Sequence, residues 1–563
     1  MENKKMKIAY IAIIILLIVA AVCLYIFLSG NSSFLNKSNL NVEYSTEKLT
    51  GEYEGYTAKI ELSDSKVSVT GSGVTSSGNA ITINSAGIYY ITGSLSNGYI
   101  VVDTVESAEV QLVLDNASIT SKETAPINCI KAAKLIITLA DGSTNTLTDP
   151  STYTVFTDTE DGDPHGTIFA KTNLLINGTG KLIINANYAD GIATKSGGEI
   201  EISACTIEIN SNDDGIQAKT TLTITDDANI TVTSTGKGLK SDENIVIKSG
   251  NIKVTSKDDT IHSNGTITID GGNFTLSSDD DGIHADTSIT INNGNISISK
   301  SYEGIESNYI EINGGTINLK ASDDGINVAG GNDGSSMGGR PGQNTFSSTN
   351  SSNTKLVING GTINVDATGD GLDANGSMYI NGGNIIVAGP TSNGNGPLDY
   401  DAECVVTGGN LIVYGSTGMW QNPSSNSTQY SLSFSKSGSS GDEIVVKDSS
   451  GNEIASFTAE KTYQALCVSN DKIKQGETYT LYVNGETASS LTASSIVSSN
   501  VSGSMGGGMQ GGNGQGGMRN MQSDSNGSTD SQMQMPNMQD MQNSEKGMKS
   551  DGIQNKQNMR NGI

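Results

Sequence analysis

Along most of this chain apolar and polar residues alternate in short runs, and the runs are separated by pairs of Gly or Asn. INNGNISI, INGGTINL, INGGTINV, INGGNIIV and IDGGNFTL each place an apolar side chain at every second position on both sides of a two-residue turn. A period of two marks a strand with one face buried, so each unit predicts two short strands joined by a tight turn. A shorter stretch such as GIHA precedes each pair and supplies a third strand.

The unit repeats. Aligned on the apolar residue of its Gly-Ile step, the series reads Ile168, Ile192, Ile216, Leu239, Ile261, Ile283, Ile305, Ile326, Leu372 and Leu398, with steps of 24, 24, 23, 22, 22, 22, 21, 46 and 26. The 46 is two ordinary periods, and its surplus falls in residues 330–353, which lack apolar periodicity and read as a loop inserted at one turn. Three short strands in about 22 residues cannot bury a face alone, so successive units must stack into a parallel β-helix. Leucine-rich repeats share the period but need a Leu and Asn signature missing here, and nine-residue calcium-binding repeats are too short. Stacking turns sequence positions into columns. Two residues after the step comes an inward column of small residues, Thr194, Ala218, Ser241, Ser263, Ala285, Ser307, Val328 and Ala374. One residue after it comes an outward, polar column: Gln217, Lys240, His262, His284, Glu306, Asn327, Asp373 and Asp399.

Acids recur beside the same step. Two residues before it stand Asp190, Asp214, Lys237, Asp259, Asp281, Glu303, Asp324 and Asp370, and Asp213, Asp258, Asp280 and Asp323 add a second carboxylate one position earlier. Rungs about 4.8 Å apart bring these like charges together, and unit charges about 4 Å apart repel by about 1 kcal/mol even in bulk water. Solvent screening, raised pKa values or divalent cations can offset this, and hard Ca²⁺ with its six to eight oxygen ligands suits paired carboxylates. A single Asp-Gly would be read as a tight turn; paired acids in successive rungs make Asp213, Asp214, Asp258, Asp259, Asp280, Asp281, Glu303, Asp323, Asp324 and Asp370 calcium-ligand candidates. Lys237 interrupts the column and neutralises it locally. With Lys240, His262, His284 and Glu306 it forms the candidate ligand-binding set. A second acidic insertion, 149–166, matches a calcium loop only loosely.

Composition narrows the class. Charged residues are 17% and Gly numbers 68, which fits turns and β-branched strands, and the net charge of −27 excludes a nucleic-acid partner and favours cations. Lys4, Lys5 and Lys7 precede an uncharged apolar run at 8–28, 21 residues or about 31 Å as a helix, enough to cross a bilayer. The lysines should stay inside. A single-pass protein of the cell membrane, with its bulk at the cell surface, is therefore expected. A lipoprotein reading of Cys23 fits its neighbours poorly. Cys129, Cys205, Cys404 and Cys467 lack metal or redox spacing and read as buried small hydrophobes. The expected organisation is an anchor at 1–28, a stalk at 29–50, the β-helix at 51–414 with its N-terminal part as a cap, a small antiparallel β cap at 415–497, and a disordered Gly, Met, Gln and Asn-rich tail at 498–563.

Taken in order, ITINSAGIYYITGSLSNGYIVVD, LVLDNASIT, KLIITLADGSTNTLTD, the DGI rungs, GGNDGSSMGGRPGQ and KIKQGETYTLYVNG resemble a family of clostridial cell-surface β-helix proteins described as carbohydrate-binding domain-containing. The likeness spans roughly residues 51–497. It implies a right-handed parallel β-helix similar to pectate lyases, bound calcium, and binding of cellulose and pectic polygalacturonate. Non-catalytic polysaccharide binding is the expected function. A lyase on the same scaffold needs a cationic base, usually Arg, yet Arg340, Arg519 and Arg560 all lie off the rungs, leaving only Lys237 and Lys240. Hydrolysis needs one asymmetric carboxylate pair, not acids in every rung. An adhesin or cell-wall structural role is a further alternative. Tyr302, Tyr309, Tyr379, Tyr400 and Trp420 are candidates for stacking on sugar rings.

Overall fold

The structure is a computed structural model that describes residues 55–77, 80–155, 164–329 and 354–502. These residues form strands and turns and no helix. The period-two pattern is realised as three columns of parallel strands. The first is a sheet of 14 strands, parallel apart from the antiparallel terminal pair Val74–Ser77 and Ala80–Ile83, that runs to Leu398–Tyr400 and includes Ile216–Ala218, Ile261–Ser263 and Ile283–Ala285. Thr221–Thr225, Asn244–Ile247 and Thr266–Ile269 belong to the second column, and Asn229–Ser234, Asn251–Thr255 and Asn273–Ser277 to the third. The long strand Glu109–Thr120 pairs with second-column Lys134–Leu139 and third-column Thr144–Thr148, joining both columns into one network of 29 strands.

Every step of the aligned series is in register. Ile168 pairs with Ile192, Ile192 with Ile216, Ile216 with Leu239, and so on to Ile305 with Ile326. Ile326 then pairs directly with Leu372, and Leu372 with Leu398. The chain thus skips residues 330–353 without losing a rung. The inward column is buried from Thr194 to Ala374, and its small side chains leave room for the Ile and Leu ladders of the other two columns.

The glycine of the Gly-Ile step answers to crowding between coils. A Cβ on Gly191, Gly215, Gly282, Gly304 or Gly325 would lie 2.3–2.5 Å from a carbonyl oxygen of the following rung. Thr260 occupies the same column once, and its hydroxyl bonds the Gly282 carbonyl. Gly304→Ala should cost on the order of 1–3 kcal/mol as an overpacked site, because its Cβ would meet the Gly325 oxygen at 2.3 Å and Leu319 Cδ1 at 2.9 Å. Urea denaturation measures this, and an unchanged midpoint would remove the steric account.

Both ends are closed. At the N-terminal end Ala58–Leu62 pairs antiparallel with Ser68–Gly71 and parallel with Gly87–Leu95. At the other end all five strand segments expected of the cap are present as Ser431–Gly438, Glu443–Lys447, Glu453–Thr458, Tyr463–Ser469 and Thr478–Val483. Tyr463–Ser469 runs antiparallel to the last third-column strand, Asn410–Gly415, so the cap continues the helix sheet. Lys461 fastens it through Asp366 at 2.8 Å. Cys129, Cys205, Cys404 and Cys467 are buried free thiols, as their spacing suggested. The expected membrane span at 8–28, the stalk, the inserted loop at 330–353 and residues 503–563 of the tail lie outside the described residues; the tail was expected to be disordered from 498, but Ser498 and Ser499 belong to the strand Val497–Ser499, which pairs with Ser431–Gly438. Among the described residues no helix is long and apolar enough to cross a membrane.

Candidate functional site

The acid two positions before each step sits at the corner leading into the first column, where the next coil's backbone passes close by. One carboxylate oxygen is used structurally. Asp190 Oδ1 accepts the Asp214 backbone N–H at 3.0 Å, Asp214 Oδ1 that of Lys237 at 2.8 Å, Asp259 Oδ1 that of Asp281 at 3.1 Å, and Asp281 Oδ1 that of Glu303 at 3.0 Å. Asp324 and Asp370 serve Asp370 and Gly396 likewise. A coil whose corner N–H would otherwise be an orphan donor gains a charge-assisted bond.

The second oxygen turns outward, and what it meets changes along the helix. In the middle rungs it meets cations of the chain itself. Lys240 Nζ lies 2.8 Å from Asp214 Oδ2; Lys237 Nζ lies 2.6 Å from Asp258 and 2.8 Å from Asp259. His262 Nδ1 is 2.7 Å from Asp259 Oδ2, and His284 Nδ1 is 3.2 Å from Asp281 Oδ2 and 3.3 Å from Glu306 Oε2. Lys240, His262 and His284 are register neighbours, so they form a short cationic column against the acids. Burial works against the charge on Lys237, but Asp259 and Asp258 more than offset it and hold its pKa above the ordinary lysine value. Burial likewise opposes charge on Asp259, yet Lys237 and His262 keep its carboxyl well below the usual range. His284 is pushed well up: burial is outweighed by its bonds to Asp281 and Asp286.

Toward the ends the ladder has fewer such partners. Burial and then Asp214 and Asp213 raise Asp190 well above an ordinary aspartate, and its Oδ2, on a side chain only 3% exposed, accepts no hydrogen bond, with His165 Nε2 at 3.6 Å. Beyond Glu306 the acids are all neighbours of acids. Asp324 is raised to about 7 by burial, Asp370 and Asp323. Burial and then Asp399 raise Asp370 to about 6, and burial with Asp324 and Asp370 lifts Asp373 well up. Asn327, 0% exposed, donates to Glu303 Oε2 at 2.7 Å and leaves its Oδ1 without a hydrogen-bond partner. Two glycines keep space open over paired acids: a Cβ on Gly236 would lie 2.5 Å from Asp213 and 2.6 Å from Asp214, and one on Gly369 2.4 Å from Asp323 and 2.3 Å from Asp324.

The candidate residues are therefore brought together, in distinct surroundings. Asp190, Asp213 and Asp214 each offer an oxygen within 4.8 Å of the others, and so do Asp258, Asp259 and Asp280, and Asp324, Asp370 and Asp373. The outward column points away from the coil interior, yet its middle members are buried: His262, His284, Glu306 and Asn327 lie beneath the carboxylates of their own and neighbouring rungs. Asp373 and Asn327 were legible only as polar column members; their placement among the acids depends on how the corner folds over. Trp420 is buried and bonds Asn422 at 3.0 Å, whereas Tyr309 and Tyr379 lie on the outer face of the second column, bonded to Glu311 and Glu403.

Comparison with known proteins agrees with the resemblance read from the motifs. Residues 77–325 match the family model described as carbohydrate-binding domain-containing protein. A carbohydrate-binding domain-containing protein of Acetivibrio thermocellus is 39% identical over 127 residues, 22% of this chain and 44% of that relative. The chain thus spans less than half the length of the curated relative it matches. A solved structure described as the polysaccharide lyase-like protein from C. thermocellum, a gadolinium derivative, is 30% identical with a TM-score of 0.40, covering 42% of this chain and 96% of that one.

Proposed function

We infer that this protein, whose residues 77–325 match the carbohydrate-binding domain-containing family model, is a surface-anchored polysaccharide-binding β-helix that holds calcium at the two less compensated parts of its acid ladder. The observation that carries the calcium reading is the division of the ladder. Its middle rungs, from Asp214 with Lys240 onward, supply their own Lys and His counter-ions, whereas Asp190 and Asp213 at one end and Asp324, Asp370 and Asp373 at the other leave carboxylates facing carboxylates. The residues present fit a hard cation: all donors are oxygens, Asp190 Oδ2 is buried and unbonded, and Gly369 leaves a bare cradle over two carboxylates. Calcium, when bound, supplies positive charge that ladder carboxylates and the uronates of a pectic polymer can share.

Binding is favoured over lyase chemistry by the state of the two lysines. Both are ion-paired with aspartates and raised in pKa, so at neutral pH neither offers the free amine that proton abstraction requires. The apolar run at 8–28 makes the membrane the anchoring point, with the β-helix outside the cell.

A pull-down on insoluble polygalacturonate tests this reading directly. Retention should be strong with calcium and fall at least about tenfold after chelation, with no unsaturated uronide released from the polymer. Retention that ignores the chelator would remove the calcium bridge, and uronide release lost in Lys237→Ala would establish a lyase.

A further inference from the structure

His262 and His284 are register neighbours at the same place in successive coils, yet their rings are held differently. His262 has both nitrogens in short bonds, Nδ1 at 2.7 Å from Asp259 Oδ2 and Nε2 at 2.9 Å from Asn264 Oδ1. His284 Nδ1 stands back, 3.2 Å from Asp281 Oδ2 of its own coil and 3.3 Å from Glu306 Oε2 of the next. Asp281, His284 and Glu306 each bring a donor atom within 4.8 Å of the others, and none of the three is more than 2% exposed. We propose that His284 Nδ1, Asp281 Oδ2 and Glu306 Oε2 form a buried site for a divalent transition metal, zinc above all, chemically distinct from the all-oxygen calcium sites above.

The spacing is that of ligands around an ion rather than of groups sharing a proton. A charge-assisted N–H···O bond closes to about 2.7–2.9 Å. His262 reaches that length at the equivalent place one coil earlier, so the stacked backbone does not itself hold His284 off. Ligands bonded to one tetrahedral zinc at about 2.0–2.1 Å stand about 3.3 Å from each other, and both His284 distances match that edge. A single Nδ1–H aims at one oxygen, whereas an ion between the three atoms bonds both. Imidazole nitrogen is a donor for zinc, copper, nickel or iron, while calcium takes oxygen. Charge favours the exchange as well. An imidazolium brings one positive charge to Asp281 and Glu306, and a divalent ion on a neutral imidazole brings two.

The surroundings orient each ligand. His284 Nε2 faces Asp286 Oδ1 at 3.4 Å, the carboxylate–imidazole–metal arrangement that puts the ring proton on Nε2 and gives Nδ1 to the ion. Asp281 Oδ1 is tied to the Glu303 N–H at 3.0 Å, so its other oxygen serves the site. Asn327 holds Glu303 Oε2 at 2.7 Å, and its own Oδ1, buried and without a hydrogen-bond partner, adds a neutral oxygen one coil beyond Glu306. Asp259, His262 and His284 make a second compact trio, but there Asp259 Oδ2 is already taken by Lys237 Nζ at 2.8 Å and His262 Nδ1 at 2.7 Å. Burial of all three proposed ligands means that the ion is captured as the coils close.

The test uses the full chain, produced with cobalt in the growth medium and purified in saturating calcium so that the acid ladder is filled. Cobalt should be retained at one ion per chain and show the visible d–d absorption of a tetrahedral site. His284→Gln should abolish that absorption, and His262→Gln should keep it. Asp286→Asn changes a side chain that is 32% exposed, so the fold should persist while cobalt is lost about 10–100-fold more readily to a nitrogen-donor chelator that spares calcium. Wild-type protein without the absorption overturns the proposal, and so does absorption that survives His284→Gln. Loss of the absorption in His262→Gln assigns the metal to the Asp259 trio and overturns it too. Where His284→Gln does not fold, an unchanged hold on cobalt in Asp286→Asn overturns it. Polysaccharide retention plays no part in these readouts, so the calcium reading and the transition-metal site fail separately.

Discussion

Lys237→Met should destabilise the protein by about 3–5 kcal/mol, the cost of stranding a buried charge whose partner has been removed. The Lys237 side chain is 7% exposed and Asp259 0%, so water cannot take over the ammonium's role. Asp259 is held ionised by Lys237 and His262 against its own burial, and without Lys237 it must either stay charged with less support or take up a proton. Adding Asp259→Asn should restore most of the loss, since the amide keeps an oxygen for the Asp281 N–H and carries no charge. Urea midpoints of the wild type and the two variants measure this. A single variant within about 0.5 kcal/mol of wild type would mean that the middle rungs are not self-neutralised.

At the far end the expected result is a stability that falls as pH rises. Asp324 and Asp370, raised to about 7 and about 6, stand above the unfolded aspartate value of about 3.9. Between those values the folded state holds more protons than the unfolded one, so the stabilising contribution is complete below about pH 4 and is lost as pH rises through about 6 to 7. Chelated protein should therefore melt at a lower temperature near pH 8 than near pH 5. Calcium at about a hundred times its dissociation constant should return about 2.7 kcal/mol at the higher pH and little at the lower, where protons occupy the oxygens. Asp370→Asn with Asp373→Asn should flatten the profile and diminish the calcium response. Thermal melts across pH with and without the chelator decide it, and a calcium response that is the same size at both pH values would sink the site.

The β-helix was legible because it rests on period and register alone. The apolar series from Ile168 to Leu398 pairs residue for residue, and the small inward column from Thr194 to Ala374 is buried. Alternation states which side of a strand a residue occupies; it does not state whether that side is covered. His284 and Glu306 belong to the outward column and are nevertheless buried, because Asp281, three residues before His284, folds back onto it. The acid column was visible as composition, but the division of labour between its two oxygens was not. That division depends on the path of the next coil's N–H, which only the stacked backbone supplies.

Because each corner acid commits one oxygen to its successor's backbone and leaves the other for chemistry, carboxamide replacement becomes a tool for uncoupling architecture from charge. Asparagine at 190, 324 or 370 retains the oxygen that receives the neighbouring N–H at 2.5–3.0 Å, so the scaffold persists while its electrostatic potential is edited coil by coil. A solenoid of this kind can be rewritten as a ruler carrying a chosen sequence of charges along its edge.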